Sequence, residues 1–541
     1  MQGLMQKTPL MISGILRHAE VAHPDREIVS RVTDGTVWRY DYQRFAERVC
    51  RCANMLRAMG IGPGDRVTSL AWNTHHHMEL FFAVPGIGAV LHTANPRLSD
   101  DQIAYTIIHA GSRAFFYDPN LSPLVDRLRS RLPEVEAYVF LGNAEEDAID
   151  GALPYEKLVG SASADVDWPQ FDENEAAFLC YTSGTTGDPK GVLYSHRSVV
   201  LHAITAGLSS ALGFSAFDCI MPCQSLYHAT AWGLPFVAAI NGCKMVLPAD
   251  RFDGASLQEL IQEEGVTFSG GVPTIWTMYL DHLERVGGDT GSLRQIVIGG
   301  SAVPLAMAET FERRYGVQVR QIWGMTEMSP LGVLSTPTPK LEAAGPEMLD
   351  EIIWTRQGRR QFGVELKIID EDGNELPCDG LSAGSVMVRG PWIIERYYRS
   401  ETSALDADGW FDTGDIATID QYGFMRITDR KKDVIKSGGE WVSSIDVENV
   451  AVSCPGVKFA AVVGVYHPKW EERPILIVET HPDAEVTVET MLAHLTPHMP
   501  RFWLPDAIIF EAIPLTATGK IDKKALRDRH AHHLAEREAT T

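Results

Sequence analysis

A loop of hydroxyl residues, glycines and one lysine is the first segment of this chain whose residue types suggest chemistry. The loop Tyr181-Thr-Ser-Gly-Thr-Thr-Gly-Asp-Pro-Lys190-Gly191 follows an apolar run at 176–180 that predicts a buried strand. Glycines let backbone N–H groups converge on a phosphate, and threonine and serine hydroxyls add donors. The loop is not a Walker A motif, because Pro189 stands where that spacing needs a second glycine. We interpret it as a phosphate-binding loop; the alternative is a solvated turn of ordinary composition.

Further polar clusters follow later in the chain, each at a predicted strand end or turn. They are Trp323-Gly-Met-Thr-Glu327, Thr413-Gly-Asp415, Asp429-Arg-Lys-Lys-Asp433, Lys436-Ser-Gly-Gly-Glu440 and Thr516-Ala-Thr-Gly-Lys520. A carboxylate such as Asp415 can accept hydrogen bonds from two hydroxyls, as ribose recognition requires. Taken singly, most such glutamates and lysines are solvated surface residues.

Composition limits the classes of partner. The chain has 541 residues, 45% of them hydrophobic and 22% charged, with a net charge of −23. This charge argues against nucleic acid or an anionic membrane surface as the main partner. Eight cysteines without a C-x-x-C pair indicate reduced thiols, and no apolar run is long enough to span a membrane. We therefore expect a cytoplasmic protein.

The run His75-His-His77 is not expected to bind a metal, since adjacent helical residues do not share a face.

The elements that must position these residues alternate between strands and helices. Residues 294–298 predict a strand, Pro304 suits a first helical turn, and Leu305, Ala308, Phe311 and Tyr315 recur at helical spacing before a strand at 317–322. This order predicts an α/β fold with mainly parallel sheets covered by helices, whose ligands bind beyond the carboxyl ends of strands. Shorter strands after Gly384 predict a β-rich part, and the segment after Asp433 has the size of a separate domain.

Together the motifs resemble the adenylate-forming superfamily of acyl-CoA synthetases, adenylation domains and luciferases, from about residue 25 to residue 527. The resemblance implies a large N-terminal domain at 1–431, with its β-rich part at about 340–431. A small, mobile α+β domain at 432–541 would follow a hinge at Lys432. It also implies a homodimer. The amino-acid sequence of residues 218–232 and 323–331 resembles that of medium-chain fatty acyl-CoA synthetases and methylmercaptopropionate-CoA ligases.

The resemblance assigns an ATP site. The implied ATP and AMP contacts are Thr182, Ser183, Gly184, Thr185, Thr186, Gly187, Lys190, Gly300, Ser301, Ala302, Gln321, Trp323, Gly324, Met325, Thr326, Asp415, Arg430 and Lys520. Trp323 would stack on adenine, and Asp415 and Arg430 would hold the ribose. Glu327 and Thr182 would hold Mg²⁺. Lys520, His228 and Glu327 are the implied catalytic residues, with Lys520 bridging the carboxylate and the α-phosphate.

The resemblance also implies contacts for the other two substrates. Coenzyme A would contact Lys436, Ser437, Gly438, Gly439, Glu440 and Trp441 after the small domain rotates. The acyl group would contact His228, Ala229, Trp232, Gly299, Met328, Pro330 and Leu331. None of these residues is acidic, which disfavours an amino acid substrate, and the bulk of Trp232 and His228 favours a short or medium acyl chain.

The leading hypothesis is an ATP-dependent carboxylate–CoA ligase that acts through an acyl-adenylate, on a short or medium-chain acid such as 3-methylmercaptopropionate or a fatty acid. A second hypothesis is an adenylation enzyme that loads a carrier-protein phosphopantetheine. A third is a catalytically silent nucleotide-binding protein. Intact Lys520, Glu327 and Asp415 argue against the third.

Overall fold

The computed structural model describes residues 1, 3–142, 148–182, 188–437, 440–482, 484–516 and 520–534, without the side chains of Thr230, Glu440 and Trp441. Several residues assigned above therefore lie outside the description. They are Ser183 to Gly187 of the phosphate loop, Gly438 and Gly439, and the side chains of Glu440 and Trp441.

The strands of the first half of the chain are β1 Glu27–Arg31, β2 Val37–Asp41, β3 Arg66–Leu70, β4 Val90–Thr93, β5 Ser112–Tyr117, β6 Ala137–Phe140, β7 Leu153–Pro154, β8 Ala176–Tyr181, β9 Gly191–Ser195, β10 Cys219–Pro222, β11 Lys244–Leu247 and β12 Phe268–Gly271. Those of the second half are β13 Gln295–Gly299, β14 Gln318–Gly324, β15 Leu331–Leu334, β16 Arg359–Arg360, β17 Glu365–Ile369, β18 Gly384–Arg389, β19 Phe411–Ile419, β20 Met425–Arg430, β21 Ile435–Ser437, β22 Glu440–Val442, β23 Val457–His467, β24 Glu471–Thr480 and β25 Ala507–Phe510.

The helices are α1 Ile12–Ala22, α2 Tyr42–Ala58, α3 His75–Gly86, α4 Asp100–Ala110, α5 Ser122–Arg129, α6 Tyr155–Ser161, α7 His196–Gly207, α8 Leu234–Asn241, α9 Gly254–Glu264, α10 Pro273–Val286, α11 Leu305–Glu309, α12 Pro339–Glu342, α13 Pro346–Thr355, α14 Ser444–Val452, α15 Val488–Leu495 and α16 Lys523–His530. Over the described residues, none of them has both the length and the apolar character of a membrane-spanning helix.

Two large, mainly parallel sheets form the first part of the chain, which confirms the predicted α/β class. One has the order β7-β6-β5-β3-β4-β8-β9, and the other β16-β15-β14-β13-β12-β10-β11-β1-β2. Helices cover both, and Phe45, Phe82, Phe178 and Phe236 are fully buried in the main core between them. The phosphate loop follows β8, Gly300 follows β13, and Met325 follows β14, so three motifs begin at carboxyl ends of strands as predicted.

Two smaller sheets complete the fold. β17 to β20 form an antiparallel sheet from Glu365 to Arg430, preceded by the helices α12 and α13. After the turn that contains Lys432, β21 to β25 form a mixed sheet that packs against α14, α15 and α16. This last unit has its own apolar core, with Val462, Leu476 and Met491 buried, as an α+β domain requires.

Candidate active site

A cavity of about 700 Å³ lies where the large unit meets the small C-terminal one. Residues from every described motif of the sequence line it, except those of the Lys436 segment. Its lining residues include Thr182, Lys190, His228, Trp232, Gly300, Gly324, Met325, Thr326, Glu327, Pro330, Asp415, Arg430, Lys432 and Lys520. Ser301 and Ala302 line a neighbouring cavity that shares Gly300, Arg430, Lys432 and Lys520 with the first.

The described ends of the phosphate loop close on each other. β8 and β9 pair in antiparallel register, Tyr181 opposite Gly191. The N–H of Thr182 donates to the carbonyl of Lys190 at 3.0 Å, and the N–H of Lys190 donates to the Thr182 hydroxyl at 3.1 Å. The loop is therefore anchored at its base on the hairpin, with the Thr182 and Lys190 side chains at the cavity.

Glu327 is a buried carboxylate at the cavity wall. It lies in a short turn after β14, and its exposed fraction is 7%. The hydroxyl of Tyr397 donates to Glu327 Oε1 at 2.8 Å. Burial raises the pKa of Glu327, although the Tyr397 hydrogen bond acts against this. Glu327 and Thr182 line one cavity and offer oxygen ligands, the type that Mg²⁺ prefers, so the donor set fits this ion.

The residues expected at the ribose form a connected set. The indole N–H of Trp323 donates to Asp415 Oδ2 at 2.8 Å, and Arg430 Nε lies 3.3 Å from Asp415 Oδ1. Burial raises the pKa of Asp415, against the opposing charge of Arg430. Trp323 is itself buried in the main core and does not line either cavity, so stacking on adenine stays a prediction.

Lys520 reaches the cavity from the C-terminal unit. Its Cε lies 3.4 Å from the position that a Cβ on Gly300 would occupy, and Gly300 has a φ of +89°. The positive φ favours glycine at this position, and an added Cβ would also lie only 3.2 Å from Val272 Cγ1. Burial and the nearby Arg430 charge lower the pKa of Lys520 to about 8, while Asp415 and Glu327 oppose the shift. The ammonium therefore lies in the field of the residues assigned to ATP.

The expected acyl residues lie on one side of the cavity. His228 directly precedes a short 3₁₀ helix, Ala229–Gly233, which contains Trp232 and in which Ala229, Ala231 and Trp232 have positive φ values of 41°, 56° and 54°. Burial and the Lys520 charge lower the pKa of His228 to about 4, so its ring is neutral at pH 7. Trp232 separates the main cavity from a small apolar one of about 10 Å³ lined by residues such as Leu234, Phe268 and Leu331.

Besides Trp323, the predicted contacts Gln321, Met328 and Gly299 do not line the main cavity, and Leu331 lines only the small apolar one. The amide of Gln321 is engaged within the protein, donating to the Trp354 carbonyl and accepting from Gln357. Met328 is fully buried in the main core. Gly299 packs against β14, because a Cβ added to it would lie 2.5 Å from Ile322 Cγ2.

The Lys436 segment, expected to contact coenzyme A, points elsewhere in this domain arrangement. Lys436 Nζ lies 3.9 Å from Glu371, and Arg473 donates to the Ser437 hydroxyl at 3.0 Å. Neither residue lines the cavity that holds Lys520. Lys432 lines both cavities from the turn between β20 and β21.

The cavity is a locally basic region of an acidic protein. Among its described lining residues, three are acidic, Asp188, Glu327 and Asp415, and seven are basic: Arg97, Lys190, Arg430, Lys431, Lys432, Lys458 and Lys520. Such a surplus attracts polyanions despite the overall charge of −23.

Sequence reasoning missed Tyr397, Tyr227, Gln224 and Arg97, all of which line the cavity. They lie outside the phosphate loop and the five polar clusters named above, and no residue spacing in the sequence indicated that they would line a site.

His75 and His76 lie side by side, contrary to the expectation that adjacent helical residues do not share a face. The rings of His75 and His76 are 3.9 Å apart, and both offer ligand atoms within 4.8 Å of a Glu156 oxygen. Both Glu156 oxygens, however, already accept from Arg48.

Comparisons with known proteins agree with this geometry. The model of the AMP-binding enzyme family matches residues 16–398, and that of the AMP-binding enzyme C-terminal domain matches residues 446–520. The chain is 45% identical over 532 residues to a 3-methylmercaptopropionyl-CoA ligase of Ruegeria lacuscaerulensis, covering 98% of each protein. It is 44% identical over 540 residues to a medium-chain-fatty-acid–CoA ligase of Ectopseudomonas oleovorans, covering 99% of this chain and 98% of the relative.

A crystal structure of an anthranilate CoA ligase with anthranoyl-AMP has the same fold. It superposes with a TM-score of 0.87 at 24% identity and covers 98% of this chain and all of its own. By its sequence and its fold, the chain belongs to the AMP-binding enzyme family.

Proposed function

We propose that this AMP-forming acyl-CoA ligase activates a short or medium-chain carboxylic acid in the cavity that joins its two units. Ligases of this class use ATP, Mg²⁺ and coenzyme A. In the first step, a carboxylate oxygen attacks the α-phosphorus of ATP and pyrophosphate leaves. In the second, the thiol of coenzyme A attacks the acyl carbonyl and AMP leaves.

The position of Lys520 is the observation on which the assignment of the site rests. Lys520 is the residue from the C-terminal unit that approaches Gly300 while lying in the field of Asp415 and Glu327. A preorganised ammonium there would stabilise the negative charge that develops between the carboxylate and the α-phosphate. Glu327 and Thr182 would hold Mg²⁺, which would supply positive charge beside the leaving pyrophosphate. The surplus of lysines and arginines supports polyanion binding at the same place.

The position of Trp232 supports a limit on the length of the acyl chain. The indole lies between the side of the cavity lined by His228 and Pro330 and a small apolar cavity of about 10 Å³. A short or medium acyl chain or a thioether tail would end against this indole. This supports the substrate types named for the two relatives above rather than an amino acid, because no acidic side chain lines this part of the described cavity.

A pyrophosphate-release assay over a panel of linear acids, 3-methylmercaptopropionate and aromatic acids tests the proposal. We expect release with the short and medium-chain members and formation of their CoA thioesters. Lys520→Ala is the matched control for contaminating activity. If only a carrier protein, and not free coenzyme A, discharged the acyl-adenylate, the carrier-loading hypothesis would replace this one. ATP binding without turnover of any acid would favour a silent nucleotide-binding protein.

A homodimer and a cytoplasmic location belong to the same proposal, on the family resemblance and on the free cysteines. Light scattering of the purified protein and cell fractionation would test them.

A further inference from the structure

Tyr397 connects two parts of the candidate ATP site that are far apart in sequence. Its hydroxyl donates to Glu327 Oε1 at 2.8 Å, and Lys190 Nζ lies 4.9 Å from the centre of its ring. The first contact is a hydrogen bond to a carboxylate, and the second is in the range of a cation–π interaction. One side chain thus touches both the carboxylate that fits Mg²⁺ and the lysine of the phosphate loop.

The backbone around Tyr397 fixes this position from both sides. The N–H of Tyr398 donates to the carbonyl of Gly191, at the end of the phosphate loop, at 2.8 Å. The N–H of Ile394 donates to the carbonyl of Glu327 at 2.8 Å. The segment at 391–400 is therefore bonded to the hairpin that carries Lys190 and to the turn that carries Glu327.

Tyr397 also separates two cavities. It lines the main cavity and a second one of about 650 Å³, and Glu327 lines both. Without the tyrosine ring, the Glu327 carboxylate would lie between the two cavities with no described side chain to hold it on either side. A carboxylate with that freedom adopts several rotamers, whereas a metal ligand needs one.

We propose that Tyr397 is a positioning residue that holds Glu327 and Lys190 in the single arrangement needed to bind the metal–triphosphate. This inference rests on the proposed function, since it assumes that Glu327 holds Mg²⁺. The hydroxyl orients the carboxylate, and the ring keeps the lysine ammonium beside it. Tyr397 need not contact the reacting atoms.

Two substitutions separate these roles. Tyr397→Phe removes the hydroxyl and keeps the ring, while Tyr397→Leu removes both. Tyr398→Phe is the matched control, because it removes a neighbouring hydroxyl that donates to the Ala110 carbonyl at 3.3 Å. Thermal melting of the three variants monitors folding.

The decisive measurement is metal affinity without turnover. Mn²⁺ binding is followed by electron paramagnetic resonance in the presence of an ATP analogue with a methylene bridge between its α and β phosphorus atoms. We expect the dissociation constant for Mn²⁺ to rise ~10-fold in Tyr397→Phe, the order expected for one hydrogen bond to a charged group. We expect Tyr398→Phe to match the wild type and Glu327→Gln to lose the signal.

A kinetic measurement tests the ring. In the acid-dependent exchange of pyrophosphate with ATP, KM for ATP should rise a further ~3-fold from Tyr397→Phe to Tyr397→Leu, as for a lost cation–π contact. Mn²⁺ affinity of Tyr397→Phe equal to that of the wild type, with the fold intact, would overturn the proposal. A wild-type protein that forms no CoA thioester would refute the proposed function instead, and the Mn²⁺ measurement would still decide the role of Tyr397.

Discussion

In the proposed mechanism, Lys520 is the residue whose charge state has the most direct consequence for adenylate formation. Burial lowers its pKa to about 8, so the ammonium begins to lose its proton close to neutral pH. Only the protonated form can stabilise the developing negative charge. We therefore expect kcat/KM for adenylate formation to be constant below that pKa and to fall as the pH rises through about 8.

The control for this pH profile is Lys520→Arg, since a guanidinium keeps its charge throughout the range. Its activity should be low, because the planar group fits the site badly, but it should not show the same fall. Lys520→Ala should slow adenylate formation ~100- to 1000-fold and spare thioesterification of a supplied acyl-adenylate. Equal losses in both half-reactions would contradict this assignment.

Trp323 has a role that its motif does not reveal. Its indole N–H donates to Asp415, a residue that lies far along the chain on β19. Trp323→Phe keeps an aromatic ring and removes this donor, so we expect KM for ATP to rise by about 10-fold, the order for one hydrogen bond to a charged group. A double-mutant cycle with Asp415→Asn, measured by ATP titration, should show that the two effects do not add. Additive effects would mean that Trp323 acts independently of Asp415.

At this scale the sequence predicted residue types better than contacts. The spacing of glycines and hydroxyl residues indicated a phosphate-binding loop with Thr182 and Lys190, and a carboxylate at the end of a strand indicated Glu327. Such signals can be found from the sequence because they depend on residues close together in the chain. The contacts of Trp323 and Tyr397 join segments more than 60 positions apart. Such pairs depend on tertiary packing, which no spacing within a motif encodes.

Helices α2, α3 and α6 meet at a buried ionic network. Arg48 of α2 donates to Glu79 of α3 at 2.6 Å and to Glu156 of α6 at 2.6 Å. Glu79 is fully buried and also accepts from the hydroxyls of Tyr40 and Tyr155. Arg48 thus pairs with both carboxylates and links the three helices, while His76 of α3 also lies 2.8 Å from Glu156 Oε1.

We expect Arg48→Met to destabilise the protein by ~3–5 kcal/mol, because it leaves the fully buried Glu79 without its counter-charge. Chemical denaturation measures this change. The matched control is Arg44→Met on the same helix, whose partner Glu47 is a half-exposed residue one turn away. That substitution should cost at most ~0.5 kcal/mol. Equal effects of the two would show that the buried network contributes nothing to folding.

Elements were more predictable than their pairing. Apolar runs and helical spacing gave the strands near 176, 295 and 318 and the start of the helix at 305, because the periodicity of a buried face is local. The helical pattern from Leu305 to Tyr315 is interrupted, since α11 ends at Glu309 and a π-helical turn follows. The strand orders of the two large sheets required the whole fold.

Under the proposed roles of Lys520 and the Lys436 segment, the arrangement of the two units suits the first half-reaction. Lys520 lies beside Gly300, whereas Lys436 and Ser437 face Glu371 and Arg473, outside the main cavity. Both segments belong to the same C-terminal unit, so one rigid position cannot bring both to the acyl group. If the Lys436 segment contacts coenzyme A, the unit must rotate between steps, and the turn at Lys432 between β20 and β21 is the place where the chain allows it.

Lys432→Pro tests this rotation. Proline fixes φ and removes a backbone N–H, and it also restricts Lys431 before it, so the turn loses the conformational change that a hinge must absorb. We expect pyrophosphate release to survive and transfer to coenzyme A to fail, which is the reverse of Lys520→Ala. Lys432→Ala is the control and should retain both steps, because the hinge needs backbone freedom more than the side chain. Wild-type rates of both half-reactions in Lys432→Pro, measured separately by pyrophosphate release and by thioesterification of supplied acyl-adenylate, would place the hinge elsewhere or exclude the rotation.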